Sequence, residues 1–123
     1  MDYKLIFFAL LLSLFLFTCQ SKTTLDGFDR EKWIADPNGC KAERAELINT
    51  LLEQKNKIAG LSDREVIQLL GKPDETNLYR RTQRFLVYFT SNGPACDTSE
   101  HHSSRLEIRI SALNEANEII HYP

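Results

Sequence analysis

The chain has 123 residues, 42% of them hydrophobic and 26% charged, with three cysteines and a formal net charge of −2. Residues 1–18 hold 14 of the hydrophobic positions, which leaves roughly a third of the remainder apolar, the proportion of one small soluble domain with a polar tether. A chain of this size excludes a two-domain enzyme with an interdomain cleft, and its mildly acidic balance excludes the cationic footprint of a nucleic-acid-binding protein.

Lys4 precedes Leu5 to Phe17 (LIFFALLLSLFLF), a run in which Ser13 is the single polar residue. As a helix it would span roughly 20 Å, short of the ~30 Å hydrocarbon core, so it reads as the h-region of a signal peptide. At its boundary, Leu16-Phe17-Thr18-Cys19 resembles a bacterial lipobox, in which the Cys is lipidated on sulfur and becomes the mature N-terminus. That resemblance implies a covalent lipid on Cys19 as the only cofactor-like group. Two or three acyl chains would give lasting anchorage at ~0.8 kcal/mol per buried CH₂. An ordinary secretory signal with an incidental Cys, or an uncleaved anchor, is the alternative. The expected organisation is a signal peptide over 1–18, the lipidated Cys with tether and lead-in segment over 19–36, and one domain over 37–123.

Residues 20–36 lack periodicity until Phe28, Trp33 and Ile34, so the first ten or so read as a flexible tether. Trp33 and Ile34 are expected to pack on the domain, with insertion into the bilayer surface as the alternative. Asp36 or Asn38 as cap and Pro37 in the first turn predict a helix that ends near Lys55 to Lys57. Along it Cys40, Arg44, Leu47, Ile48, Leu51 and Leu52 fall at 3.6-residue spacing, which places Cys40 on the buried edge. A second, short helix is better signed. Ser62 and Glu65 form a capping box, Val66, Leu69 and Leu70 supply the packing face, Gly71 is a left-handed stop and Pro73 blocks continuation.

The period then changes to two. Strands are predicted over Leu78 to Arg81, Phe85 to Thr90, Arg105 to Ser111 and Glu118 to Tyr122. In the third, Leu106, Ile108 and Ile110 alternate with Arg105, Glu107 and Arg109, as in an antiparallel sheet with one wet face. The expected fold is α+β: two N-terminal helices packed on one face of a three- to four-stranded antiparallel β-meander.

The run Gly60-Leu61-Ser62, Val66-Ile67 and Leu69-Leu70-Gly71-Lys72-Pro73-Asp74, followed by Tyr79 and the strand Phe85 to Phe89, resembles the SmpA/OmlA (BamE-like) small outer-membrane lipoproteins. Their G-x-s-x-x-x-V-x-x-l-L-G-x-P phrase marks the second helix and its exit into the sheet, and their fold is shared with beta-lactamase-inhibitor-protein domains. A W-x-x-D-x-x-G-C phrase at Trp33, Asp36, Gly39 and Cys40, and a G-P-x-C loop at Gly93, Pro94 and Cys96, look most like Bacteroidetes-type lipoproteins. The resemblance implies a lipid-anchored protein of the bacterial cell envelope, at the outer membrane and periplasm.

If Cys19 carries lipid, Cys40 and Cys96 remain as a pair in an oxidising compartment, which predicts a disulfide worth roughly 4 kcal/mol on the chain-entropy model. Two separate buried thiols, or a metal site from Cys96, Asp97, His101 and His102, are the alternatives. Ser103, Ser104 and His101 lack any nucleophile elbow, and Asp74 and Glu75 read as residues of the turn after Pro73, so no catalytic residues are expected. Arg80, Arg81 and Arg84 make the most positive spot in the chain. They are candidates either for a solvated hairpin or for binding anionic lipid headgroups or an acidic partner face. The reading is a non-catalytic protein-binding or scaffolding lipoprotein that touches the membrane through its anchor and an envelope protein through its surface, with no nucleic acid, small-molecule substrate or metal. The alternative is an inhibitor-like module that occludes an enzyme.

Overall fold

In the strand Ser104–Ile110, Leu106, Ile108 and Ile110 are buried while Arg105, Glu107 and Arg109 are only partly covered, and that two-residue period sets the plan of the sheet. The computed structural model, which describes residues 2–13, 22–97 and 102–123, has four strands. These are β1 (Glu75–Leu78), β2 (Arg84–Ser91), β3 (Ser104–Ile110) and β4 (Ala116–Tyr122), paired antiparallel in the order β1-β2-β3-β4. Before the sheet come α1 (Tyr3–Ser13), α2 (Arg30–Ile34), a 3-10 turn (Pro37–Gly39), α3 (Glu43–Glu53), α4 (Lys55–Ile58) and α5 (Asp63–Leu70). The fold is therefore α+β, helices first and meander second, as the change of period predicts. Among the described residues no helix is long and apolar enough to cross a membrane.

One sheet face carries the core. Leu86, Tyr88, Leu106, Ile108 and Ile110 meet Ile48 and Leu51 of α3, Ile58 of α4, and Val66, Leu69 and Leu70 of α5. Each such side chain contributes about 1.5–3 kcal/mol by leaving water. On the other face Val87 and Phe89 are also buried, under a roof of long side chains. Arg105 pairs with Glu107 at 2.7 Å and lies over the Tyr122 ring at 4.6 Å, while Arg109 pairs with Glu118 at 3.1 Å. In the register Arg105 stands opposite Phe89 and Glu107 opposite Val87, so these long side chains lie on the strand pair that carries the apolar residues.

The short helix α5 matches its sequence signals. Ser62 Oγ accepts from the Glu65 N–H at 3.2 Å, and Glu65 Oε2 accepts from the Ser62 N–H at 3.0 Å. Gly71 ends it with φ 78 and ψ −177, a conformation essentially restricted to glycine but extended rather than left-handed helical. A Cβ there would also lie 2.8 Å from Ile34 Cγ1, so Gly71 lets the lead-in segment pack down.

Four expectations are corrected. The first domain helix does not run on from Asp36. Gly39 is pressed so close to β2 that a Cβ would sit 2.4 Å from the Thr90 carbonyl carbon, and Asn38, Gly39 and Ala42 have φ of 61, 65 and 61. Helix α3 can begin only after them, and Cys40 lies exposed in the turn rather than on a buried helix edge. The tether is shorter than ten residues, because Leu25 is buried and Trp33 belongs wholly to the core. The predicted long helix is divided at Gln54 (φ −115, ψ 19), and α4 turns separately so that Ile58 reaches the core. Strand β1 is displaced towards the N-terminus: Glu75 pairs with Val87 and Leu78 with Arg84, so Tyr79 to Gln83 form the turn.

Candidate functional site

Beside the apolar core, a set of charged residues also binds the helical layer to the sheet. Asp36 is fully buried, and its carboxylate accepts from the Lys41 N–H at 2.8 Å and the Arg44 N–H at 3.1 Å. It thus caps α3 from across the preceding turn, where its negative charge also suits the positive helix end. Arg44 passes inward between two rings, 5.1 Å from the Trp33 centroid and 5.8 Å from that of Tyr88. Its Nε donates to the Trp33 carbonyl at 2.8 Å, and its Nη1 donates to Asp74 Oδ2 at 2.6 Å and the Phe89 carbonyl at 3.1 Å. Asp74 also accepts the N–H groups of Asn38 at 3.1 Å and Phe89 at 2.8 Å. One carboxylate therefore joins the 3-10 turn, α3 and β2.

Burial pushes the Tyr88 hydroxyl far above its ordinary range, with the Arg44 charge opposing and the Asp74 charge adding, so it stays protonated and donates to the Gly71 carbonyl at 2.8 Å. A cleft of about 310 Å³ opens beside this hub between Ile34, Pro37, Leu70 and Pro73, with Arg44 and Asp74 in its lining. The Asp74 carboxylate arrives there already holding three donors. The arrangement fastens three elements together. Sequence reasoning placed Asp74 in a turn and missed this hub; the available signal was Arg44, a charge lying on an otherwise apolar helical stripe.

The two cysteine phrases come together in space. Cys40 and Cys96 form a disulfide with Cα atoms 5.4 Å apart across a sequence separation of 56. Beside it the Gly93 N–H donates to the Asn38 carbonyl at 2.8 Å, and Gly39 lies on the β2 backbone. With its sulfur in that bond Cys96 has no thiolate to offer a metal, which takes it out of the rival set of Cys96, Asp97, His101 and His102. His102 Nε2 lies 3.1 Å from the Pro123 carbonyl oxygen. Among the described residues no group of three His, Cys, Asp or Glu side chains is placed to hold a metal. His101 and the lipidation candidate Cys19 lie outside the described residues.

The arginine candidates separate. Arg80 and Arg81 are exposed on the β1–β2 turn, and among the described residues neither side chain has an ion pair. Arg81 (φ 54) and Thr82 (φ 64) are the central residues, closed by the Gln83 N–H donating to the Arg80 carbonyl at 3.2 Å. Arg84, expected beside them, instead opens β2 half-buried. Its Nη2 bonds the Asp63 carboxylate and, at 2.8 Å, Asn114 Oδ1, while Asn114 Nδ2 donates to Asp63 Oδ1 at 2.8 Å. Burial raises Asp63, but the hydrogen bonds from Asn114, the Arg64 N–H and Arg84, with the Arg84 charge, outweigh it and hold the carboxyl below its ordinary value. Arg84 is committed to joining α5 to the β3–β4 turn.

Comparison of the chain with protein-family models, with curated proteins and with solved structures finds no match.

Proposed function

We propose that this protein is a bacterial cell-envelope lipoprotein, anchored by lipid on Cys19 at the outer membrane, whose folded part is a non-catalytic module that binds an envelope protein partner. The resemblance to the SmpA/OmlA small lipoproteins is part of this reading. The observation that carries it is the Cys40–Cys96 bond, since such a bond persists in an oxidising compartment and is rare in the cytosol. An h-region over Leu5 to Phe17, with Cys19 at its boundary, supplies the route to that compartment. The buried charges Asp36, Arg44 and Asp74 are consumed in holding the fold, so binding falls to the surface.

The test is fractionation with a labelled palmitate chase. Wild type should sediment with membranes and take up label, whereas Cys19→Ser should lose both; label on the Cys19→Ser protein would refute the anchor. Cross-linked pull-down from the membrane fraction should recover an envelope-complex protein. A stoichiometric hydrolase that is silenced by binding would replace the scaffold by an inhibitor.

A further inference from the structure

The β-meander directs two turns to one end of the molecule. Strand β1 runs towards the Tyr79–Gln83 turn and β3 towards the Ser111–Glu115 turn, and β2 and β3 meet there through the Arg84–Ile110 pair. Arg84 Nη2 ties the two turns together through Asn114 Oδ1 at 2.8 Å. From residue 22 onward, the two most exposed large apolar side chains are one on each tip: Leu78 is 88% exposed and Leu113 83% exposed. Tyr79 is exposed beside Leu78, and Arg80 and Arg81 follow it. Glu115 is the exposed acid on the second tip; since Asp63 and Arg84 pair, the tips together remain cationic.

The chain enters the fold at this same end. Asp26 exchanges backbone bonds with the Gln54 side chain, each at 2.7 Å, and pairs with Lys57 at 3.1 Å, so the lead-in is fixed to the C-terminal end of α3. That end continues to Gly60 and Leu61, which exchange 2.7 Å hydrogen bonds with Ala116, the first residue of β4 just past the second tip. The other end of α3, where Arg44 bonds the Phe89 carbonyl, lies at the disulfide end. From Cys19 to Leu25 the chain can reach at most about 20 Å.

We infer that the two hairpin tips form a second, non-covalent contact with an anionic phospholipid surface. This rests on the reading of Cys19 as the lipid anchor. Leu78 and Leu113 enter the boundary between headgroups and acyl chains, Tyr79 sits at headgroup level with its hydroxyl in water, and Arg80 and Arg81 bond lipid phosphates. The anchor fixes which end faces the bilayer, and the tips turn a tethered domain into a seated one. The disulfide end then faces away.

The experiment uses the full chain purified from membranes, with Cys19 lipidation checked by mass, in vesicles of acyl-brominated phosphatidylcholine mixed with an equal amount of phosphatidylglycerol. Two variants, Leu113→Trp and Ala95→Trp, report the tip end and the disulfide end, and Trp33, fully buried, is the unquenched reference. The indole at 113 should be quenched roughly two-fold and that at 95 not at all, as interfacial burial requires. Adding Arg80→Ala and Arg81→Ala should relieve that quenching in the mixed vesicles and leave it unchanged in phosphatidylcholine alone. Equal quenching at both positions, or none, on a lipidated protein overturns the seated orientation and leaves the anchor standing. Absence of lipid on Cys19 overturns both. Quenching at 113 that ignores the arginine changes overturns their pairing with lipid. An unquenched tip that cross-links to an envelope protein in cells assigns the surface to that protein instead.

Discussion

The Nη1 atom of Arg44 lies 2.6 Å from Oδ2 of Asp74, with the two side chains only 2% and 4% exposed. Removing one member strands the other charge and, for Asp74, also leaves the Asn38 and Phe89 N–H groups without their acceptor. Arg44→Met and Asp74→Ala are each expected to cost about 3–5 kcal/mol in urea denaturation. The double variant should cost clearly less than the sum, because neither member of the pair is then left as a lone buried charge. Additive single losses would show that the pair is not coupled.

The disulfide should matter on the same scale. Cys40→Ser with Cys96→Ser frees the chain across a separation of 56 residues and is expected to lower stability by roughly 4 kcal/mol on the chain-entropy model. Denaturation of wild type with and without reductant checks this, and equal midpoints would contradict it.

Asp63 predicts an acid limb. Its folded carboxyl is held below the ordinary value, so it contributes stability that is present above about pH 4 and lost as pH falls through the folded value. Asp63→Asn should therefore unfold at lower temperature than wild type at neutral pH, with the gap closing in acid. The pair is about a quarter exposed, with side chains at 25% and 28%, so the effect is modest. His121, lowered by burial, adds a separate slope nearer its ordinary value, retained above it and lost as pH falls. A gap between Asp63→Asn and wild type that does not change with pH would contradict the assignment.

The β1–β2 turn holds two non-glycine residues at positive φ, Arg81 at 54 and Thr82 at 64. Hairpin turns of this kind favour Asn-Gly, and a β-branched residue there is strained. Thr82→Gly is expected to raise stability by about 1 kcal/mol, measured by thermal melting, while leaving Arg80 and Arg81 in place. A loss of stability would mean that Thr82 is held by contacts worth more than its strain.

The legible parts of this sequence were those whose signals are local. Ser62 and Glu65 announce α5 because a capping box needs only four residues, and Leu106, Ile108 and Ile110 announce β3 because alternation is its own register. The disulfide could be inferred by elimination, since one Cys was assigned elsewhere. The start of α3 was not legible, because the obstacle is β2, distant in sequence, pressing on Gly39. Arg84 looked like part of a basic run, and only the fold brings Asp63 and Asn114 to it. The tip surface was half visible: the arginines could be read, but Leu113 and the point of chain entry join them only through the topology of the meander.

Whether the proposed lipid anchorage in an oxidising compartment holds is read from the intact mass of the protein extracted from membranes under non-reducing conditions. The expected result is a mature chain beginning at Cys19, heavier by its acyl groups and lighter by the two hydrogens of the Cys40–Cys96 bond. A chain with unmodified Cys19, or with both remaining thiols free, would contradict it.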